Sequence, residues 1–128
     1  MHFTWQNIFA VGLGGFLGAT ARFYTNIMIS KSFPYDIPLA TLGVNVMGSF
    51  VIGFLVALFL YFTPYEWLKL FLITGFLGAL TTYSTFAIET FFLLQSSFWM
   101  GILNIALNLI GSICAVALGY KLMLYFLR

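Results

Sequence analysis

Polar positions along this 128-residue chain are sparse enough to divide it into long apolar runs. Each run has about the length a membrane-spanning helix needs, roughly 20 mostly apolar residues. The pattern predicts four helices: Trp5 to Met28, Leu39 to Phe62, Trp67 to Leu94 and Trp99 to Tyr120 (5–28, 39–62, 67–94 and 99–120). Between the first two, Ile29 to Pro38 holds Lys31, Pro34, Asp36 and Pro38, and no helix continues smoothly through that stretch. Thr63-Pro64-Tyr65-Glu66 is a turn too short to return anywhere but antiparallel, and Gln95-Ser96-Ser97-Phe98 separates the last two runs. Trp5, Trp67 and Trp99, with Tyr24, Tyr61 and Tyr120, fall near the predicted ends, as an interfacial aromatic belt does.

Inside these runs the polar and small residues recur at helical spacing. Gly14, Gly15 and Gly18 form a face on which another helix can approach closely. Thr41, Asn45 and either Gly48 or Ser49 make a stripe on the second helix, and Asn104, Asn108 and Ser112 make another on the fourth. The Asn45 amide requires a partner in hydrocarbon, which a neighbouring helix or a polar path would equally supply. The densest cluster is Gly75-Phe76-Leu77-Gly78-Ala79-Leu80-Thr81-Thr82-Tyr83-Ser84-Thr85-Phe86, inside a segment with no charge from Leu70 to Ile88. A lipid-facing anchor has no use for such a run, whereas hydroxyls and loosened backbone are tolerated where they face protein or a solvated path. Two glycines and the β-branched Thr81 and Thr82 predict a helix interrupted near Gly75–Thr82. Carbonyls freed at a break are ligands for a hard cation. Tyr83 and Phe86, three apart, share one helical face, and Glu89 extends it. Arg22, in the last third of the first helix, reads either as an interfacial anchor or as a positive charge at a pore mouth.

Composition narrows the class. With 62% hydrophobic and 6% charged residues the chain is an integral membrane protein, since soluble domains carry about a quarter charged residues. The net charge of +2, dispersed along the chain, excludes a nucleic-acid surface. Cys114 has no partner for an intrachain disulfide and reads as a small packing residue; His2, the single histidine, offers no metal cluster. No nucleophile with a positioned base is evident, so an enzyme is not expected. Ala19-Thr20-Ala21 has the shape of a signal-peptidase site, but the start lacks Lys and Arg and apolar character resumes after Arg22, which argues against cleavage. Four spans would place Lys69, Lys121 and Arg128 on one side and Lys31, with Arg22, on the other, a bias too weak to fix one orientation. A protomer this small has little room to enclose its polar stripes. A homo-oligomer that buries them, such as an antiparallel dimer, is the economical expectation.

Several ordered motifs make the chain resemble the small fluoride channels of the Fluc or CrcB family. They are Gly14-Gly15-Phe16-Leu17-Gly18-Ala19 leading to Arg22, then Gly43-Val44-Asn45 with Gly48-Ser49-Phe50, then Gly75 to Phe86, each in its own helix. The resemblance implies a dual-topology antiparallel homodimer in the bacterial inner membrane, with two fluoride pores and a central sodium ion. By position it implies backbone carbonyls of Gly78 and Thr81 on sodium, the Asn45 amide on fluoride, and Arg22 at a vestibule. It further implies an anion path along Tyr83, Phe86, Ser84, Thr85, Glu89, Asn108, Ser112 and Thr41. Tyr83 stands where the family pattern has Phe, and its hydroxyl is a departure. No organic cofactor is implied.

The residue types fit such a task. Fluoride is small and strongly hydrated, so a selective path must replace its water with amides, hydroxyls and the positive edges of aromatic rings. A central cation would offset the cost of holding an anion at low dielectric. Two other readings compete: a small proton-coupled multidrug exporter, for which Glu89 is the only mid-membrane acid, and a structural subunit whose polar residues are interhelical glue.

Overall fold

The computed structural model describes residues 1–128 and is helical, without strands. Helix α1 covers Trp5–Ser32, α2 Leu39–Tyr61 and α3 Glu66–Lys69; a π-helical segment, Leu70–Leu77, is followed by α4 Gly78–Leu80, α5 Tyr83–Ser96 and α6 Phe98–Phe126. The stretch 66–80 runs as one half-helix, and α5 is the second half of the same long unit. By length and composition, Leu39–Tyr61, Glu66–Ser96 and Phe98–Phe126 are able to cross a membrane. Helix α1 has the length, 28 residues, but is interrupted by Gln6, Asn7, Thr20, Arg22, Thr25 and Asn26.

Helix ends follow local chemistry. Thr4 caps α1 by accepting the Asn7 N–H at 3.2 Å. Nothing in Ile29-Ser30-Lys31-Ser32 breaks a helix, so α1 continues to Ser32 and stops where Pro34 keeps the preceding Phe33 out of the helical region, at φ −135° and ψ 85°. Helix α6 runs on through Lys121 to Phe126 for the same reason, since no Gly or Pro intervenes.

Glycines set the two closest helix crossings. A Cβ on Gly14 would strike the Phe71 carbonyl, one on Gly18 the Phe76 carbonyl, and one on Gly75 would lie 2.7 Å from the Val11 oxygen. Helix α1 and the π segment therefore touch backbone to backbone. The second crossing joins α2 to α6, where a Cβ on Gly53 would meet the Val116 carbonyl and one on Gly119 the Phe50 carbonyl. Two tight helix pairs result, one joining α1 to the first half of the broken span and the other joining α2 to α6.

Burial is inverted relative to a soluble protein. Large apolar side chains such as Phe9, Phe16, Leu60, Ile110 and Ile113 face outward. The two largest fully enclosed side chains are polar, Asn104 at 0% exposure and Thr41 at 2%. Lipid receives the apolar surface, and polar groups that must find partners within the chain lie in the interior among small and apolar side chains.

Candidate functional site

The long third unit breaks at Thr81 and Thr82, both extended, with φ/ψ of −79°/154° and −150°/121°. The break lies at the C-terminal edge of the Gly75–Thr82 stretch. Gly75 is instead within the π segment, where its missing side chain admits α1, and Gly78 opens α4. Hydroxyls at the break replace what the backbone loses. The Thr82 side chain accepts the Thr85 N–H at 3.3 Å and so starts α5 as its N-cap. Thr81 closes the preceding turn with both its N–H and its hydroxyl on the Leu77 carbonyl, at 3.0 and 2.9 Å.

Two neighbouring helices grip the break. From α1, Arg22 Nε donates to the Ala79 carbonyl at 3.0 Å, placing a cation at the C-terminal, electronegative end of the half-helix. From α2, Asn45 pairs with the backbone of Thr82 at two points. Its Oδ1 accepts the Thr82 N–H at 2.8 Å, and its Nδ2 donates to the Thr82 carbonyl at 3.2 Å. The carbonyls of Gly78 and Thr81 receive no hydrogen bond.

Beside the break lies a groove of about 380 Å³, bordered by Asn45, Ser49, Gly78, Thr81, Thr82, Tyr83, Phe86, Asn108 and Ser112 together with apolar neighbours. The rings of Tyr83 and Phe86 sit with centroids 5.7 Å apart and planes tilted by 58°. Phe86 is buried, whereas Tyr83 is 77% exposed on the outer rim. Thus the structure brings together Asn45, Tyr83, Phe86, Asn108 and Ser112, with Gly78 and Thr81 on the same wall.

Other residues named from the sequence lie elsewhere. Thr41 is buried and donates its hydroxyl to Glu89 Oε1 at 2.9 Å. Glu89 borders two separate hollows, one with Asn26, Ser30 and Tyr35 and one with Asp36 and Ser96, and its Oε2 is buried without a hydrogen-bond partner. Ser84 is exposed outside the groove, and Thr85 is joined to the cap residue, its Oγ1 lying 3.0 Å from that of Thr82. Arg22 acts on Ala79 and is not part of the groove wall.

Three participants were not singled out as site residues from the sequence. Thr82 is the point that Asn45 holds; Thr90 and Asn104 form a buried pair behind the groove, 2.9 Å from Asn104 Nδ2 to Thr90 Oγ1. The spacing of Asn104 from Asn108 was visible, but which neighbour it faces depends on how α5 packs on α6.

Free backbone carbonyls are the donor set a hard monovalent cation takes, so Gly78 and Thr81 fit a sodium ion in chemistry. The N-terminus of α5 presents the opposite sign: the N–H groups of Tyr83 and Ser84 have no protein acceptor. Aromatic edges, a serine hydroxyl and helix N–H groups are all donors suited to a small anion.

Comparison with known proteins places these features in a family. Residues 9–120 match the family model described as CrcB-like protein, Camphor Resistance (CrcB). The chain is 51% identical over 127 residues to the fluoride-specific ion channel FluC of Sulfurimonas denitrificans, covering 98% of each. It is 48% identical over 122 residues to the protein of that name from Campylobacter fetus subsp. fetus, covering 94% of each. It is 40% identical over 120 residues to that of Nautilia profundicola, covering 91% of this chain and 92% of the relative.

Proposed function

This chain belongs to the CrcB family, and from that membership we propose that it is a fluoride-selective ion channel that lets the ion leave the cytoplasm passively and so limits its toxicity. It is a multi-pass protein of the bacterial plasma membrane and not an enzyme. The observation that carries the reading is the groove, where a broken helix, two aromatic rings and a set of amides and hydroxyls converge in a chain otherwise faced with apolar side chains.

Helix α1 is the fourth span. At 1.5 Å per residue its 28 residues reach about 42 Å, long enough to cross, and Arg22 is held at the broken helix rather than left in lipid. The working unit is an antiparallel homodimer with two pores, which covers the groove and the exposed Tyr83 rim with a second copy. Near the centre of that dimer, the carbonyls of Gly78 and Thr81 would hold sodium. A bound cation there supplies fixed positive charge that lowers the cost of an anion in the adjacent path.

Fluoride passes Asn45, Tyr83, Phe86, Asn108 and Ser112 along the groove, with Thr41, Ser84, Thr85 and Glu89 serving the approach on the α5 side. Arg22 has two roles in this reading, capping the half-helix through Nε and leaving its remaining guanidinium protons toward a vestibule. Asn45 has both amide protons committed to protein acceptors, so it shapes the path rather than donating to the ion. Ring edges, the Ser112 hydroxyl and the α5 N–H groups remain as donors. The proton-coupled exporter reading finds no support: the relatives are fluoride channels by name, and Glu89 is tied to Thr41 away from the groove.

The test is fluoride efflux from liposomes holding the purified chain alone, with valinomycin and potassium setting the voltage and a fluoride electrode reading the release. Rapid voltage-driven loss of fluoride without loss of chloride is expected. A folded dimer that releases no fluoride would refute a homomeric channel.

A further inference from the structure

Tracing what occupies the amide protons of Asn45 leads away from the groove and into the core. Asn45 Nδ2 donates to Asn108 Oδ1 at 3.1 Å as well as to the Thr82 carbonyl. Asn108 Nδ2 donates in turn to Asn104 Oδ1 at 3.2 Å, with the Asn104 carbonyl also within reach at 3.1 Å. Asn104 Nδ2 donates to Thr90 Oγ1 at 2.9 Å, and the Thr90 hydroxyl donates to the Phe86 carbonyl at 2.7 Å. Four side chains from α2, α5 and α6 thus form one continuous line of hydrogen bonds. It begins at the helix break and ends on the backbone of the residue whose ring borders the groove.

The direction of this line is imposed independently from both ends. A backbone N–H only donates and a carbonyl only accepts, so Thr82 admits Asn45 in a single amide orientation. At the far end, the one proton of the Thr90 hydroxyl is spent on the Phe86 carbonyl, and only lone pairs face Asn104. Asn104 must then turn its NH₂ group to Thr90 and its oxygen to Asn108. Asn108 receives the same instruction from either side. Water cannot offer a substitute partner, because Asn104 is 0%, Asn108 5% and Thr90 6% exposed.

We propose that Thr90 and Asn104 are positioning residues of the ion pathway: through Asn108 they fix the orientation of Asn45, and Asn45 holds Thr82 so that the break and the groove keep their shape. Neither residue borders the groove itself. The inference rests on the channel reading for its pathway role, and on the hydrogen bonds alone for the coupling between Thr90 and Asn45.

Thr90→Val removes the hydroxyl at nearly constant shape, and Thr90→Ser keeps it. Both are compared with the wild-type full chain in detergent micelles by ¹H–¹⁵N correlation of side-chain amides, the Asn45 pair being assigned by its loss in Asn45→Ala. The same proteins are assayed for fluoride efflux from liposomes. In Thr90→Val the Asn45 resonances move and efflux slows about tenfold, the size expected when one buried amide proton loses its acceptor. Thr90→Ser restores both. If Thr90→Val is not recovered folded, Thr90→Ala removes the same hydroxyl without filling the space. Asn45 resonances unmoved by loss of the hydroxyl would overturn the coupling, and moved resonances with native efflux would overturn the pathway role. A wild-type chain without fluoride efflux would refute the channel reading instead, while the resonances still decide whether Thr90 governs Asn45.

Discussion

Asn45→Asp exchanges a single NH₂ group for an oxygen, and the geometry around it makes the consequence calculable. Asn45 Nδ2 now faces two acceptors, the Thr82 carbonyl at 3.2 Å and Asn108 Oδ1 at 3.1 Å. An ionised aspartate would set oxygen against oxygen at both. Leaving a buried acceptor without a donor costs about 1–3 kcal/mol, so two of them cost about 2–6 kcal/mol, before any repulsion between the charge and those oxygens is added. A protonated aspartate recovers only one of the two, since it has one proton to give. The remaining penalty of about 1–3 kcal/mol still falls on the contact that holds the break. At 1.4 kcal/mol per tenfold, a loss of about 3 kcal/mol lowers the equilibrium constant of intact over opened break about a hundredfold. Packing of α2 on α6 relies on Gly53 and Gly119, away from Asn45, so the fold of the protomer is expected to survive. The assay is liposome fluoride efflux together with gel filtration in detergent. Efflux should fall by at least an order of magnitude while the elution volume is unchanged. Native efflux would refute the clamp, and loss of assembly with no folded protein would mean that Asn45 is interhelical glue alone.

Phe86→Ile removes a ring that borders the groove but keeps an apolar side chain of adequate size, so fluoride efflux should be abolished with the protein still folded; full efflux would refute the aromatic role. Gly119→Ala places a Cβ against the Phe50 carbonyl and should destabilise the α2–α6 pair by about 1–3 kcal/mol, read as a lower melting temperature in detergent. Exchange of sodium for N-methylglucamine should lower the melting temperature of the dimer if the Gly78 and Thr81 carbonyls hold the ion, and an unchanged value would remove sodium from the account. A single cysteine introduced beside Arg128, in a Cys114→Ser background, should be labelled by a membrane-impermeant reagent on about half the molecules in intact cells. Labelling of all or none would end the dual-topology reading.

The apolar runs were legible because a bilayer demands them: a stretch of about 20 residues without charge has few other uses. The interruption of the third run was legible in type and less so in place. Glycine weakens a helix, which drew attention to Gly75 and Gly78. In this fold, however, Gly75 serves the crossing with α1, and the backbone opens at Thr81 and Thr82, where hydroxyls replace the lost hydrogen bonds. Arg22 presented two readings, anchor or pore charge, and its bond to the Ala79 carbonyl is a third that no spacing rule conveys, because the partner is 57 residues away. Asn45 presented glue and path as alternatives. The structure joins it to Thr82 and Asn108 and sets it at the border of the groove. Thr90 stayed invisible for a plainer reason. A threonine in a transmembrane helix usually bonds back to the carbonyl four residues earlier, as this one does to Phe86, and only the packing of α6 reveals that its lone pairs also serve Asn104.

The break gathers donors and acceptors of opposite character within a few residues. A half-helix that ends leaves carbonyls without donors, and a half-helix that begins leaves N–H groups without acceptors. In an unbroken helix these would satisfy one another; here Thr81 and Thr82 turn them apart, and Arg22, Asn45 and the Thr82 cap consume only some of them. What remains on one side are carbonyls that include those of Gly78 and Thr81, and on the other N–H groups that include those of Tyr83 and Ser84. The first set favours a cation and the second an anion, each reinforced by the dipole of its own half-helix. On the reading proposed above, one interruption would prepare both ion sites from backbone groups alone. Substitutions that realign the break into continuous helix would erase the two together. Thr82→Ala, which removes the α5 cap, is accordingly expected to weaken sodium-dependent stability and fluoride efflux in parallel, by the roughly 1 kcal/mol a lost N-cap costs. Loss of one with the other unchanged would show that the two sites are built separately.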